Sequence, residues 1–271
     1  MAVDAAEVPY GVGYRQRGGV AVIELRRPAV GNALDATMRR ELLAAVRRAH
    51  HERDTVRAVL ITAQGPAFCV GQDLKEHARA LEQQPSSAFA TVAGEYNPLV
   101  QALYELPQPV VAAVEGACVG AGLGLALCAD LRVASESAAF ATAFTGIGLA
   151  ADTGLSASLS RAIGESRAGG MFLLGDRVGA EDALAWGLVH RVVREGTAAT
   201  EALALAERLA SGPTLAFAEV KQLLRGSGAQ ASLDHVLECE ASAQSRLGTT
   251  EDHLLAVEAF LARRRPQFNG R

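Results

Sequence analysis

The stretch PVVAAVEGACVGAGLGLALCAD, residues 109–130, carries the strongest structural signal in the chain. A short apolar, β-branched run comes first, closely spaced glycines follow, and an apolar segment with helical character ends it. This order predicts a buried strand, a glycine turn and a helix that begins near Gly122. The first turn of such a helix has unpaired backbone N–H groups and a partial positive field, so negative charge is stabilised there.

The glycines of this stretch allow more than one interpretation. Gly120, Gly122 and Gly124 are spaced by two and no acid follows near residue 144, so the dinucleotide-binding pattern is not met. The sequence also lacks the phosphate-binding pattern G-x-x-x-x-G-K-[ST] and the nucleophile elbow G-x-S-x-G. Taken alone, the segment fits tight helix packing as well as it fits a binding site.

The composition around this segment is that of a globular protein, with 271 residues, 49% of them hydrophobic and 21% charged. A formal net charge of −4 provides no broad cationic surface, so we expect no nucleic-acid partner. No uncharged apolar run reaches the length of about 18 residues that spans a membrane, and residues 1–20 lack the apolar core of a secretory signal. We therefore predict a cytoplasmic protein without a membrane partner.

The cysteines and histidines show no metal-ligand spacing. The four cysteines lie far apart without a CxxC pair, which is typical of buried thiols in a reducing compartment. The six histidines form no HExxH pattern, so we predict no metal site. The side chain of His77, which follows the second glycine turn described below, is expected to be exposed.

Short β-branched runs alternate with helix-period segments, which predicts an α/β fold. The predicted strands are Val20–Leu25, Ala58–Thr62, Val110–Val114, Leu131–Ala134 and Val189–Val193. The first clear helix, Leu34–His50, has Asp35 or Asn32 as its N-cap.

After about residue 197 only helical patterns remain. The predicted helices there are Thr197–Ser211, Thr214–Arg225, Ser232–Leu247 and Thr250–Arg264, with breaks at Gly212–Pro213 and Gly226–Gly228. We therefore divide the chain into a core domain, residues 1–196, and a helical region, residues 197–271. The apolar faces of the helical region are available to cover the core or a neighbouring subunit.

A second glycine turn, AQGPAFCVGQDLK at residues 63–75, precedes the first. Together the two stretches resemble the loops that form the oxyanion hole of the enoyl-CoA hydratase/isomerase (crotonase) superfamily. The resemblance continues through GDRVGAEDALAWGLVHRVV at 175–193 and AFLARRRPQF at 259–268, and covers roughly residues 15–268. It implies the crotonase (ClpP-like) spiral of repeated ββα units with a helical C-terminal region. It also implies a homotrimer or homohexamer, with the helical region used for trimerisation and covering the active site.

The resemblance further implies an acyl-CoA thioester substrate, whose enolate is held by the backbone N–H groups of Gln72 and Ala121. Donors preset where charge develops contribute roughly 3 to 4 kcal/mol each in comparable sites. Ala121 stands where glycine is common in the family; the donor is a backbone group and is kept, but a Cβ narrows the approach. Coenzyme A arrives as part of the substrate, so no separate cofactor is expected.

The two glutamates with which family hydratases activate water fall at Gly124 and Phe144, and neither residue transfers a proton. Hydration is therefore disfavoured. Asp152 is similar in position to the catalytic acid of Δ3,Δ2-enoyl-CoA isomerases and of the ring-epoxide isomerases of phenylacetate breakdown. The resemblance implies that Asp152 moves the proton of an isomerisation, in an apolar setting that raises its basicity. Its alternative role is the N-cap of a helix over residues 153–163.

The remaining predicted site residues surround the substrate or its coenzyme. Backbone near the Asn32–Leu34 turn and basic side chains are implied for coenzyme A, and Phe260 and Arg263 match positions that often serve a neighbouring subunit. Lys75 and the basic run 263–265 are equally interpretable as solvated surface charge. The predicted binding set is Arg27, Ala33, Leu34, Gly71, Lys75, Gly120, Gly122, Phe144, Phe260 and Arg263.

Other functions of the same family remain open. Asp152 also resembles the nucleophilic aspartate of 4-chlorobenzoyl-CoA dehalogenases, although the histidine that those enzymes place before the second oxyanion strand is missing from residues 86–105. Absence of both glutamates is also compatible with a protein that binds acyl-CoA without turnover. Residues 76–96, which should shape the acyl pocket, have no readable pattern, so the acyl group is not identified.

Overall fold

The computed structural model describes residues 11–226 and 231–271, which contain ten strands and eleven α-helices. The strands are β1 (Val12–Arg17), β2 (Val20–Leu25), β3 (Ala58–Ala63), β4 (Ala67–Cys69), β5 (Val110–Val114), β6 (Ala117–Val119), β7 (Leu131–Ser135), β8 (Ala139–Ala141), β9 (Val178–Gly179) and β10 (Arg191–Val193). The α-helices are α1 (Ala36–His51), α2 (Leu74–Gln83), α3 (Asn97–Glu105), α4 (Ala121–Cys128), α5 (Leu155–Ile163), α6 (Glu165–Leu174), α7 (Ala180–Ala185), α8 (Ala198–Ala210), α9 (Thr214–Gly226), α10 (Leu233–Leu247) and α11 (Glu251–Leu261). A π-helix, Val92–Tyr96, precedes α3. The start of the predicted core domain, residues 1–10, and residues 227–228 of the predicted break after α9 lie outside the described residues.

Successive ββα units build two sheets side by side. Within the described residues the larger sheet has the order β1-β2-β3-β5-β7-β10 and the smaller one β4-β6-β8-β9. All neighbours in the larger sheet are parallel except β1 with β2, and in the smaller sheet only β8 with β9 is antiparallel. The strand pairs β3–β4, β5–β6 and β7–β8 each give their first strand to the larger sheet and their second to the smaller. This arrangement confirms the predicted α/β spiral of repeated ββα units.

The central strands of the larger sheet are buried on both faces, which explains why they appear in the sequence as continuous apolar runs. Helices α1, α3 and α4 contribute to the core on one face. The other face is covered by α8, whose alanines recur every fourth residue and are buried against the sheet: Ala198, Ala202, Ala206 and Ala210. Helix α8 thus packs directly on the core, although the sequence assigned it to the helical region.

Local capping chemistry fixes where helix α1 begins. The side chain of Asp35 accepts a hydrogen bond from the backbone N–H of Met38 at 2.8 Å, as expected for an N-cap. Asn32, the alternative cap, instead accepts from the backbone N–H of Arg27 and donates to the carbonyls of Gln64 and Ala67. Asn32 therefore ties two loops together, and helix α1 begins two residues later than predicted.

Polar contacts attach the segment that contains helices α9 to α11 to the core, among them those of Arg57 with Thr214, Gly212 and Phe268. The buried Lys221 Nζ on α9 lies 2.6 Å from Asp130 Oδ2 and donates to the carbonyl of Gln108, also at 2.6 Å. Helices α10 and α11 expose apolar side chains, namely Leu233, Leu237, Leu254, Val257, Phe260 and Leu261. In the part of the chain that the structure describes, no helix is long and apolar enough to cross a bilayer.

The Lys221–Asp130 pair provides a test of how α9 is anchored. Replacing Lys221 with Met leaves Asp130 short of its closest cation, so we expect the free energy of unfolding to fall by about 3 kcal/mol. Urea denaturation at a fixed protein concentration measures this change. The same substitution at the exposed Lys75 serves as the control and should stay within about 0.5 kcal/mol of wild type. Equal effects at the two lysines would show that the ion pair does not anchor α9.

Candidate active site

The smaller sheet brings three loops to one place. Strands β4 and β6 pair through Cys69 and Cys118, and β6 and β8 pair through Val119 and Ala141. Because these strands are parallel neighbours, the segments that leave their carboxyl ends lie next to one another. These segments are residues 70–73, the turn before α4, and residues 142–152. The site is therefore built at the same end of three consecutive ββα units.

The backbone N–H of Gln72 is turned toward this end of the sheet. Leu34 donates to the carbonyl of Gly71 at 2.8 Å and accepts from the N–H of Asp73 at 3.2 Å. These are the two bonds of the parallel bridge between Leu34 and Gln72, and they use the groups that flank Gln72. Successive N–H groups along an extended chain point in opposite directions, so the N–H of Gln72 points away from Leu34. Gly71 adopts φ +90°, a conformation that favours glycine.

The N–H of Ala121 lies at the start of helix α4, next to the Gln72 loop. Gly120 precedes the helix with φ +55° and accepts from the N–H of Gly124 at 3.1 Å, so Ala121 lies in the first turn. Across residues 11–226 and 231–271, no hydrogen bond is donated within the chain by the N–H of Gln72 or Ala121. A Cβ built on Gly71 would lie 3.3 Å from the nitrogen of Ala121, so the two loops touch. Two backbone N–H groups without a hydrogen bond inside the described chain thus lie on loops that touch.

These amides border a cavity of about 360 Å³ with a largely apolar wall. Its apolar side chains come from all three loops and from the segment after α2: Val70, Leu74, Phe89, Val92, Val119, Phe144, Ile147 and Leu149. Among the described residues that line it, Asp152 alone carries a titratable side chain. The cavity therefore combines an apolar wall, two backbone donors and one carboxylate.

Asp152 does not serve as a helix cap. Helix α5 begins at Leu155 with Gly154 as its N-cap, and no side chain caps it. The backbone carbonyl of Asp152 accepts from the N–H of Leu155 at 2.9 Å, while its Oδ1 atom is buried without a hydrogen-bond partner. Burial, the largest influence, raises the pKa of the Asp152 carboxyl above the ordinary aspartate value. A carboxylate of raised basicity on a cavity wall has the properties of a general base.

Gly124 and Phe144 are both placed near the site, and neither supplies a carboxylate. Phe144 is buried on the cavity wall, and its ring approaches Gly120: a Cβ built on that glycine would lie 3.9 Å from Cζ of the ring. Gly124 is buried within helix α4. The two positions therefore contribute shape rather than proton transfer.

The predicted coenzyme residues are placed less uniformly. Arg27 is held by Asp35 and Asp73, each 3.1 Å from its Nη2, and it also donates to the carbonyl of Ala33. Lys75 is exposed in the first turn of α2, beside Arg27 in a shallow groove outside the cavity. Ala33 and Leu34 are buried, and Leu34 positions the Gln72 loop through its backbone.

Three further members of the predicted binding set lie off the cavity wall. A Cβ on Gly122 would lie 2.3 Å from the carbonyl oxygen of Cys69, so this glycine permits close packing of α4 on β4. Phe260, 81% exposed, and Arg263 project from the end of α11 and do not border the cavity. A role for Phe260 and Arg263 in coenzyme binding stays a prediction.

His77 is buried, with 7% of its surface exposed, so the expectation of an exposed side chain was wrong. Its Nδ1 atom lies 3.3 Å from the side-chain amide nitrogen of Gln72, and its ring meets that of Phe89 edge-on at 5.0 Å. The prediction failed because Phe89 comes from a segment without periodicity, and only the folded chain brings it over His77. Phe89 and Val92 border the cavity and lie within residues 76–96, the segment that was expected to shape the pocket, but the sequence did not single them out.

Arg39 was also missed, although its fully buried side chain holds the cavity walls together. It pairs with Glu76 on α2 at 2.8 Å and with Glu95 in the π-helix at 2.6 Å. It also donates to the carbonyl of Leu34 at 2.8 Å. The two carboxylates outweigh burial and raise the pKa of Arg39 above its ordinary value. In the sequence, Arg39, Glu76 and Glu95 resemble ordinary surface charges. No local pattern therefore indicates that the arginine is buried and pairs with both glutamates.

Comparison with known proteins shows the family and the fold. The family model described as Enoyl-CoA hydratase/isomerase matches residues 15–271. The chain belongs to this family. A relative from Rhodobacter capsulatus named "Probable enoyl-CoA hydratase" is 44% identical over 95% of this chain and 97% of its own length. The 1,2-epoxyphenylacetyl-CoA isomerase of Escherichia coli K12 is 38% identical over 93% and 96%, respectively. A crystal structure from Mycobacterium abscessus, described as that of a "putative Enoyl-CoA hydratase/isomerase", superposes with a TM-score of 0.93 and 58% identity, covering 96% of this chain and all of that one.

The raised pKa of Asp152 predicts a pH-dependent stability difference in this family member. The folded state binds the Asp152 proton more tightly than the unfolded state, so its contribution to stability is full below the unfolded-state pKa and is lost as pH rises through the folded-state pKa. Asp152→Asn should therefore be more stable than wild type at neutral pH, with the difference vanishing in acid. Urea unfolding across that pH range measures it. The exposed Asp176→Asn is the matched control, and a less stable Asp152→Asn at neutral pH would contradict the burial argument.

Proposed function

We propose that the protein is an acyl-CoA thioester isomerase that shifts a double bond, from Δ3 to Δ2 in an enoyl-CoA or in a related ring isomerisation. The observation that carries this proposal is the single carboxylate of Asp152 on the wall of a cavity with two free backbone donors. An isomerase needs one group that accepts and returns a proton. Activation of water by two carboxylates has no counterpart among the cavity residues described above.

The proposed reaction conserves all atoms of the substrate. Asp152 removes a proton from C2 of a 3-enoyl thioester, and the electron pair moves toward the thioester oxygen to form a dienolate. The N–H groups of Gln72 and Ala121 donate to that oxygen while it is negative. Asp152 then returns the proton to C4, the double bond closes between C2 and C3, and the carboxylate is regenerated. Coenzyme A stays attached throughout, so the proposed reaction uses no separate cofactor.

The relatives support this family of reactions without choosing among them, because one is named a hydratase and another an isomerase. The choice rests on the residues at the site. Position 124 carries no side chain, and position 144 presents an aromatic ring to the cavity. A water molecule at that ring would have no base from these positions, which favours isomerisation over hydration.

Replacing Asp152 with Asn tests the proposal most directly. The amide keeps the shape of the side chain but accepts no proton, so kcat with a straight-chain 3-enoyl-CoA should fall by about a hundredfold to ten-thousandfold. Asp176→Asn, the same change on the exposed loop before β9, should leave kcat unchanged. Conversion is followed by the absorbance of the conjugated product. Undiminished turnover by Asp152→Asn would overturn the assignment of the base.

Assays of wild type and Asp152→Asn with other thioesters distinguish the alternative functions. Halide release from a haloaryl-CoA would favour Asp152 as a nucleophile, and turnover of a cyclic-epoxide thioester would favour ring isomerisation. Calorimetry with a saturated acyl-CoA measures binding without chemistry. Tight binding by wild type without turnover of any of these thioesters would instead favour a non-catalytic binding protein.

We also propose that copies of the chain assemble through α10 and α11 into a trimer or a dimer of trimers. The support is the concentration of exposed apolar side chains on these two helices, including Leu254 and Leu261. Such an assembly would bring Phe260 and Arg263 of one copy to another copy, where the family resemblance places coenzyme contacts.

Sedimentation tests this assembly. Wild type should sediment at three or six times the chain mass of 28.2 kDa. Leu254→Asp places a charge on the exposed apolar face and should lower the assembled fraction at least about tenfold, because burying an unpaired charge is costly. Leu184→Asp, at an exposed leucine on α7, is the control. A wild-type protein that sediments as a single chain would contradict the proposal.

A further inference from the structure

Thr153 fills the space that a side chain at position 124 would need. A Cβ built on Gly124 would lie 1.9 Å from Thr153 Oγ1 and 2.7 Å from Thr153 Cβ. Real Cβ atoms do not approach other heavy atoms this closely, so no residue larger than glycine fits at 124 unless Thr153 moves. Thr153 is 3% exposed. The contact therefore fixes the position of the loop that carries Asp152 relative to α4.

The backbone of Thr153 is held in an unfavourable conformation. Its φ of +52° lies in the left-handed region, which a β-branched residue rarely adopts and which costs about 1–3 kcal/mol. Its Oγ1 donates to the carbonyl of Asp152 at 2.8 Å, and that carbonyl also accepts from the N–H of Leu155. Such strain persists only where surrounding contacts determine the conformation. Here those contacts are the Gly124 surface and the doubly bonded carbonyl of Asp152.

We propose that Thr153 is a positioning residue, which seats the loop on Gly124 so that the carboxylate of Asp152 stays in the cavity, and which thereby excludes a second carboxylate at position 124. This inference rests on the proposed function, because it assigns Asp152 the proton transfer. It goes beyond that function by naming the packing contact that restricts the site to one acid. Thr153 itself does not border the cavity and touches no substrate.

A double-mutant cycle between positions 124 and 153 tests the contact by stability alone. Gly124→Ala introduces a methyl group against Thr153, so its urea midpoint should fall below that of wild type. In the Thr153→Gly background that space is open and alanine is the better helix former, so the same change should raise the midpoint. Gly169→Ala in α6, where a Cβ meets nothing within 4 Å, is the matched control and should not lower the midpoint. The same sign in both backgrounds would overturn the contact.

Kinetics on the same proteins test the positioning role. Displacement of a catalytic carboxylate by about 1 Å lowers the rate about a hundredfold. Gly124→Ala and Thr153→Gly should therefore each lower kcat for a straight-chain 3-enoyl-CoA about a hundredfold. Their KM should stay within about threefold of wild type, because the oxyanion amides and the apolar wall remain. Adding Gly124→Ala to Thr153→Gly should cost less than about twofold more. Thr153→Ser, which keeps Oγ1, should recover kcat to within about fivefold of wild type.

The outcomes separate this inference from the proposed function. If Asp152→Asn loses turnover while Thr153→Gly keeps wild-type kcat, the positioning role is overturned and the proposed function stands. If Asp152→Asn keeps turnover, the proposed function fails, and with it the positioning role, whatever the stability cycle shows. If Thr153→Ser loses as much kcat as Thr153→Gly, the hydroxyl is not the positioning group. Loss at Thr153→Gly, recovery at Thr153→Ser and the sign change in stability together support the inference.

Discussion

Parallel pairing of β4, β6 and β8 is the constraint on which the site depends. These strands are only three residues long, so most of their burial comes from the larger sheet and helices around them. Their alignment nevertheless sets the Gln72 turn, the start of α4 and the Asp152 loop at one end. A one-residue shift in the register of this sheet would move the N–H groups of Gln72 and Ala121 out of their present arrangement. The larger sheet thus provides stability, while the smaller one provides geometry.

Asp152 shows how the fold places a costly group where it is useful. An unpaired carboxylate oxygen beneath an apolar wall opposes folding when it is ionised, and the same burial raises its affinity for a proton. The loop tolerates this because α5 begins three residues later and takes its own cap from Gly154. Separating the cap from the acid leaves the Oδ1 atom of Asp152 without a hydrogen-bond partner. A capping aspartate would accept hydrogen bonds from backbone N–H groups of the helix. Those bonds stabilise the charged carboxylate and would lower the basicity that proton transfer requires.

The sequence was sufficient for the central strands of the larger sheet, because buried parallel strands appear as uninterrupted apolar runs. The repeated ββα units were implied by the family resemblance, and the short strands of the smaller sheet were not predicted from the apolar runs. Two strands, Val20–Leu25 and Val110–Val114, were predicted at their exact bounds. The two glycine turns also indicated where backbone donors would collect. The sequence did not reveal the burial of His77 or the clamp around Arg39, because both depend on partners from a segment without periodicity. Side-chain partners that are distant in sequence leave no local pattern, whereas most of the cavity wall comes from the two glycine turns and the Asp152 segment.

Glycine at 124 has a different meaning from the glycines at 71 and 120. Those two adopt positive φ and shape the turns that carry the donors, so their residue type follows from backbone geometry. Gly124 lies within helix α4, where glycine is unfavourable, and it is explained only by the side chain of Thr153 above it. Glycine destabilises the helix here, but it leaves the space in which Thr153 packs against α4. The absence of an acid at 124 is therefore a consequence of packing, and restoring the acid alone would displace the loop before it could supply a second proton-transfer group.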